Sequence, residues 1–282
     1  MMRPSSTFPY RNAVEDCGVA RNGTGIKEPP DMLPVQDSNA DELEQLPSIG
    51  AVLCPKRLPS LTEPGSAGAQ QFRTLAIRLQ RFQKAQHLKR LLITSSMKGE
   101  GKSVTSANLA VALARRQKTM LIDGDLYQSG LREVLGSGSQ PGLKDWWRGS
   151  QSIFSFLRRL DGLQLWYLSA GNANEQPIDI VQSPRLSEML NEVSVHFEWV
   201  IIDSPPLLPV ADSSVWATQT DGALLIVKHG ITPKVLLQKA LQTDNLKLLG
   251  IVANEWEDTS QEYYSHYYKH TRDRSANEQR AS

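Results

Sequence analysis

Cysteine is scarce in this chain, with Cys17 and Cys54 the only two in 282 residues. Two thiols in the front section build no disulfide framework, so burial of apolar surface has to hold the fold; the composition fits a reducing cytoplasm. Long apolar runs are missing as well. No stretch approaches the roughly 18 residues that cross a bilayer. The start, MMRPSSTFPYRN, has no apolar stretch of the secretory kind. The expectation is a soluble, cytoplasmic protein that reaches a membrane only through a partner. Excess charge is also absent. A formal net charge of +1 gives none of the basic surface that non-specific nucleic-acid binding requires. The histidines and cysteines show no zinc-ligand spacing. Trp146-Trp147 is expected to pack a helix onto the body, not to stack bases.

Residues 1–65 hold nine of the 16 prolines and two aromatics, Phe8 and Tyr10. Such a segment buries too little apolar surface to offset chain entropy and is expected to be disordered. From about residue 66 the pattern changes. QQFRTLAIRLQRFQ places Phe72, Leu75, Leu79 and Phe82 on one helical face. RLLITSS, TMLIDGD, LQLWYL, WVIIDSPP, GALLIV and LLGIVAN read as short buried strands. Helical stretches lie between them, including SVTSANLAVALARR and a segment from Pro184 to His196. Thr232-Pro233 reads as an N-cap followed by proline at the first helical position. This alternation predicts a mostly parallel sheet with helices on both faces, spanning residues 66–256. Residues 257–282 are polar and aperiodic and read as a tail. Four of the seven tyrosines fall there, in YYSHYY at 263–268.

SSMKGEGKS, at 95–103, lies between the first of these strands and its helix. It fits G-x-x-x-x-G-K-[ST], except that Ser96 stands where the first glycine belongs. Backbone N–H groups of such a loop curl around phosphate oxygens, and the helix N-terminus adds partial positive charge. Lys102 is placed to reach the β- and γ-phosphates of ATP, and the Ser103 hydroxyl to ligate Mg²⁺. The residues expected around the nucleotide are Ser96, Gly99, Glu100, Gly101, Lys102, Ser103 and Val104. The bland alternative, a Gly-Lys-Ser turn that caps a helix, does not explain the strand–loop–helix context.

Two further strands end in acid: Asp123 and Asp125 after TMLI, and Asp203 after WVII. Strand ends in an open parallel sheet meet at the edge where ligands bind. Asp203 is placed to hold a magnesium-bound water as a Walker-B-type aspartate does, with Asp125 assisting. Asp123 is free to accept a proton from an attacking hydroxyl. Each aspartate alone could instead cap a helix, a reading that weakens once a phosphate loop lies upstream.

Taken in order, GEGKS, LIDGDL, VIIDSPPLLPVAD and the tyrosine cluster resemble the bacterial tyrosine autokinases, BY-kinases of the CpsD/CapB type, over about residues 69–270. The resemblance implies a P-loop NTPase-like fold and autophosphorylation of tail tyrosines in the service of capsular or exopolysaccharide export. It implies Lys102 and Ser103 on phosphate and Mg²⁺, Asp123 as base, Asp125 and Asp203 organising the metal, and Asn254 at adenine. Tyr263, Tyr264, Tyr267 and Tyr268 are the implied acceptors, reached by neighbouring subunits. It also implies activation by a transmembrane polysaccharide co-polymerase, which places the chain at the inner face of the plasma membrane. Three departures stand out. Tyr127, Gln128 and Ser129 occupy positions where arginines and proline are usual. Of an early Glu-x-x-Arg-x-x-Arg only Arg73 is present, with Gln70 and Ala76 at the other places, so the ring-forming motif is degenerate. Met97 and Lys98 replace the usual loop residues, and Lys98 is expected to face solvent.

Four phosphates would add roughly −6 to −8 of charge to the tail, enough to repel it from an acidic site. Two other readings remain open: a ParA/MinD-like assembly ATPase that uses water as acceptor, and a nucleotide-binding regulator of polysaccharide export without kinase activity.

Overall fold

The computed structural model describes residues 57–208 and 212–255, with Leu43, Leu46 and Ser48–Ile49 ahead of them. The tail tyrosines lie outside the described residues.

Eight strands form one sheet: β1 (Ser48–Ile49), β2 (Arg90–Ser95), β3 (Thr119–Asp123), β4 (Arg158–Leu160), β5 (Leu165–Leu168), β6 (Trp199–Asp203), β7 (Gly222–Lys228) and β8 (Leu248–Asn254). Their spatial order is β1-β4-β5-β3-β6-β2-β7-β8. Every neighbouring pair is parallel except β4 with β5. Parallel strands covered on both faces need apolar residues at every position. That is why RLLIT, TMLI, WVII and GALLIV are nearly free of polar residues. Alternation returns in what each side chain meets. Leu91, Ile93, Leu121 and Ile201 enter one cluster; Leu92, Met120, Ile122, Val200 and Ile202 enter the other.

The first face is covered by α1 (Pro59–Thr62), α2 (Ala67–Gln86), α3 (Lys102–Ala114) and α4 (Gly130–Leu135). The second is covered by α5 (Leu143–Arg148), α6 (Pro177–Val181), α7 (Pro184–His196) and α8 (Asp212–Thr218). α9 (Lys234–Leu241) adds Ala240 to a small cluster with Leu225 of β7. Helix α7 shows how the local sequence works. Ser183 caps it by accepting the Arg185 N–H, and Pro184 opens the first turn. Leu186, Met189, Leu190 and Val193 then bury one stripe. Each contributes roughly 1.5–3 kcal/mol relative to exposure. The tryptophan pair packs as expected. Trp146 is buried, and the Arg185 guanidinium lies 4.5 Å above it while bonding the carbonyls of Trp146, Trp147 and Gly149.

Three features differ from the sequence expectation. Helix α2 buries Ala69, Ala76 and Leu79, and leaves Phe82 39% exposed. Its small residues, more than its phenylalanines, allow close approach to the alanine-rich α3. Helix α9 has Pro233 as its N-cap and starts at Lys234; the Thr232 hydroxyl is used elsewhere. The expected boundary between residues 65 and 66 falls inside the fold. Leu43 is buried, and its carbonyl accepts the Trp166 indole N–H at 2.9 Å. Ser48–Ile49 pairs with β4, and Leu58 is fully buried. Proline-rich average composition hid these short apolar anchors.

Asn108, on α3, ties the early segment to the sheet. Its Oδ1 accepts the Ser60 N–H at 3.0 Å, and its Nδ2 donates to the carbonyls of Arg57 and Val104, both at 2.8 Å. The side chain is fully buried. Asn108→Ala should lower stability by about 2–4 kcal/mol in urea unfolding, since it strands a buried donor and an acceptor. Amide exchange should accelerate first over residues 57–62. A loss under about 0.5 kcal/mol would mean that water replaces these bonds.

Candidate active site

Strand β2 ends at Ser95 and the chain turns sharply into α3. Gly99 (φ 88°) and Gly101 (φ 89°) take left-handed backbone conformations. A Cβ on Gly101 would lie 1.9 Å from Asn254 Nδ2, so this position requires glycine twice over. Gly101 caps α3 without a side chain, which leaves the first N–H groups of the helix free to meet an anion. Lys98 is exposed.

Glu100 is 2% exposed and its carboxylate is committed to the loop itself. It accepts from the Ser96 hydroxyl at 3.0 and 3.1 Å, from the Met97 N–H at 2.9 Å and from the Thr232 hydroxyl. Asn254 Nδ2 donates to the Glu100 carbonyl at 3.0 Å. Here the expected adenine neighbour is a brace for the loop, with its Oδ1 still available. Ser96, in place of the consensus glycine, supplies a hydroxyl that Glu100 grips.

Lys102 Nζ lies 2.9 Å from Asp125 Oδ2, and both side chains are largely buried. Burial opposes the lysine charge, but Asp203, Asp125 and Asp123 together outweigh it and raise the ammonium above its usual range. Asp123 and Asp203 face each other across the β3–β6 pairing, and neither is exposed. Asp203 Oδ1 accepts from the Ser106 hydroxyl at 3.0 Å, and Ser103 also donates to this carboxylate. Burial pushes Asp203 up, against the pull of Lys102. Asp123 Oδ2 accepts from Ser129 and from the Tyr167 hydroxyl at 3.3 Å. Burial pushes Asp123 up to about 7, with Asp203 repelling in the same direction, although the Ser129 bond works against it. Burial beside Asp123 also pushes the Tyr167 hydroxyl up and keeps it protonated. Asp125 Oδ1 takes the Gln128 N–H at 3.1 Å and so shapes the turn that carries Ser129.

The structure thus gathers Lys102, Ser103, Asp123, Asp125 and Asp203 at one sheet edge. Sequence reasoning missed Ser106, Ser129, Tyr167 and Thr232. Ser106 was within reach, because it lies one turn beyond Lys102 on the same helix face. Ser129 carries an N-cap signal, and it does accept the Arg132 N–H. Tyr167 required knowing that β5 lies beside β3. Tyr127 is 54% exposed and bonds Asp212 at the start of α8.

These residues suit a divalent cation in part. Asp203 Oδ2 and Asp123 Oδ1 are buried without a hydrogen-bond partner, and three carboxylates face one ammonium. Among the described residues no group of three or more His, Cys, Asp or Glu could hold a metal unaided. Mg²⁺ does not ask for one, since it takes one or two carboxylates and completes its shell with water and phosphate.

A phosphate loop after a central parallel strand, with two acid-tipped strands to one side of it, defines a nucleotide-binding protein. Residues 91–278 match the model of the CobQ/CobB/MinD/ParA nucleotide binding domain. Within that class the resemblances narrow. Tyrosine-protein kinase YwqD of Bacillus subtilis is 31% identical over 212 residues, covering 74% of this chain and 90% of YwqD. Succinoglycan biosynthesis transport protein ExoP of Rhizobium meliloti is 28% identical over 211 residues, 72% of this chain but 27% of ExoP. The crystal structure of the VpsO kinase domain superposes with a TM-score of 0.60 at 28% identity, over 68% of this chain and 100% of that one. The chain belongs to the bacterial tyrosine-kinase family.

Asp123 holds its proton more tightly in the native state than in the unfolded chain. The stability this contributes is complete below 3.8, its ordinary value, and is lost as pH rises through about 7. In ligand-free protein, Asp123→Asn should therefore gain on wild type in urea midpoint between the two values. A constant gap across that range would show that Asp123 does not titrate there.

Proposed function

We propose that this chain transfers the γ-phosphate of ATP to tyrosines of its own tail, Tyr263, Tyr264, Tyr267 and Tyr268, and thereby regulates capsular or exopolysaccharide polymerisation and export. The observation that carries the reading is the convergence of Lys102 with three carboxylates, one of them raised to about 7. A general base near neutrality is what removal of a phenolic proton asks for.

In this scheme the loop from Ser96 to Val104 wraps the phosphates with backbone N–H groups, and Lys102 moves from Asp125 onto the β- and γ-oxygens. Ser103, Asp125 and Asp203 would hold Mg²⁺, which supplies charge neutralisation on the phosphates when bound. Asn254 would meet the base through its Oδ1, its Nδ2 being engaged by the Glu100 carbonyl. A tyrosine oxygen forms its bond to the γ-phosphorus while the bond to the bridging oxygen breaks, and ADP keeps that electron pair. The phenolic proton passes to Asp123. Ser129 covers Asp123, so the 125–129 turn has to shift before an acceptor hydroxyl reaches it.

The expected partner is a transmembrane polysaccharide co-polymerase whose cytoplasmic segment activates the chain at the inner face of the membrane. The transport function in ExoP's name supports a link of this kind. No helix among the described residues is long and apolar enough to cross a membrane. Tail exchange between copies is part of the proposal.

Incubation with γ-labelled ATP and Mg²⁺, with and without the partner segment, tests it. Label should map to residues 263–268. Lys102→Met should cut labelling at least about a hundredfold. Asp123→Asn should lower kcat by roughly 10²–10⁴ while ATP still binds. Free phosphate without tyrosine label would favour an assembly ATPase, and no turnover would favour a nucleotide-binding regulator.

A further inference from the structure

Two hydroxyls share one oxygen of Asp123, and they stand on unlike supports. Ser129 and Tyr167 both donate to Oδ2, while Oδ1 has no partner. Tyr167 belongs to β5, opposite Leu121 in the parallel pairing with β3, and is fully buried in the cluster on the α3 side of the sheet. Burial keeps its hydroxyl protonated and therefore a donor, and the Ser169 hydroxyl bonds its oxygen in turn. Ser169 is itself buried and accepts the Gly171 N–H at 3.2 Å. Tyr167 cannot leave Asp123 without opening the core.

Ser129 belongs to the turn between β3 and α4, which is anchored at both ends. Gly124 donates its N–H to the Asp203 carbonyl at 2.8 Å, and its own carbonyl accepts the Trp216 indole N–H at 3.2 Å. At the far end Leu131, Val134 and Leu135 bury α4. The residues between are held over Asp123 by polar contacts: Asp125 to Lys102 at 2.9 Å, Asp125 to the Gln128 N–H at 3.1 Å, and Ser129 to Asp123. The first of these breaks when Lys102 turns to the phosphates, so the arrival of nucleotide loosens the turn that carries Ser129 and leaves β5 untouched. The Tyr167 bond, at 3.3 Å, is longer than the roughly 2.7–2.8 Å usual between a hydroxyl and an oxygen acceptor, which fits an oxygen that Ser129 also occupies.

We propose that Tyr167 is a positioning residue, which fixes the Asp123 carboxylate through Oδ2 while the acceptor tyrosine approaches, and that Ser129 is the removable cover of the same oxygen. The inference rests on the reading of Asp123 as the group that takes the phenolic proton. Nucleotide comes first and draws Lys102 off Asp125. Ser129 then lifts with the turn, and Tyr167 remains, so the uncovered carboxylate meets the acceptor in one orientation. A carboxylate without either donor is free to rotate about its terminal torsion. Misplacing a reacting group by about 1 Å costs on the order of a hundredfold in rate. Deleting one donor or the other from a single oxygen therefore has opposite effects.

Rates of tyrosine labelling of the full chain, measured across ATP concentrations with Mg²⁺ present, test it. Tyr167→Phe removes the hydroxyl and keeps the ring. It should lower kcat about ten- to a hundredfold with KM for ATP unchanged. Ser129→Gly removes the cover while leaving a tolerated helix cap, and should raise kcat severalfold. In an Asp123→Asn background Tyr167→Phe should cost nothing further, since a residue that acts through Asp123 then has nothing to position. Ser169→Ala frees the Tyr167 hydroxyl from its neighbour and should lower kcat as well; it stands in if Tyr167→Phe gives no cooperative circular-dichroism melt. Three results each overturn the inference: Tyr167→Phe at the wild-type rate, a full further loss in the Asp123→Asn background, or Ser129→Gly slowing transfer as Tyr167→Phe does. With wild type labelled on tyrosine, any of them removes this inference alone. Wild type that labels no tyrosine overturns the phosphoryl-transfer reading, and the inference with it.

Discussion

One buried ammonium among three carboxylates sets the terms for the rest of this structure. Lys102 meets Asp125 directly and feels Asp203 and Asp123 close by. Charges taken out of water cost several kcal/mol each unless they are paired and hydrogen-bonded. The surrounding residues supply that compensation piece by piece. Ser103 and Ser106 support Asp203, Ser129 and Tyr167 support Asp123, and Gln128 supports Asp125. The donors come from α3, from the turn after β3 and from β5, so the cluster forms only when these are in place beside the acid-tipped β3 and β6. The site and the fold are in this sense one object. The two carboxylate oxygens left without partners are where the compensation from the protein stops.

Much of this could be read from the sequence because parallel strands and phosphate loops leave strong local marks. Unbroken apolar runs gave the central strands, and Gly101-Lys102-Ser103 gave the start of α3. Two kinds of feature stayed hidden. Tyr167 reaches Asp123 only because β5 lies beside β3, a long-range pairing with no local signature. Short elements such as Arg158–Leu160 and Pro59–Thr62 bury one or two side chains and cannot show periodicity. The expected face of α2 holds at Leu75 and Leu79, which pack on the core, and fails at Phe82. Burial followed the small residues that fit against α3, and the larger Phe82 turned outward. Thr232 looked like a cap because the local pattern matches one, yet its hydroxyl has a stronger claimant in the Glu100 carboxylate.

The departures from the family pattern also take on physical content. Tyr127, where an arginine is usual, turns its hydroxyl to Asp212 and joins the turn after β3 to the start of α8. Gln70 and Ala76 stand where the resemblance implies an acid and an arginine, and the charges left on the helix are all positive.

The grip of Glu100 on Thr232, and of Asn254 on the Glu100 carbonyl, has a mechanical corollary. Asn254 is the last residue of β8, and the His229 N–H holds its carbonyl at 3.0 Å. The loop that would wrap the triphosphate is thereby leashed to the residue at which the chain departs from the sheet. A single side-chain amide thus joins the phosphate loop to the end of β8, so displacing either one strains a bond to the other.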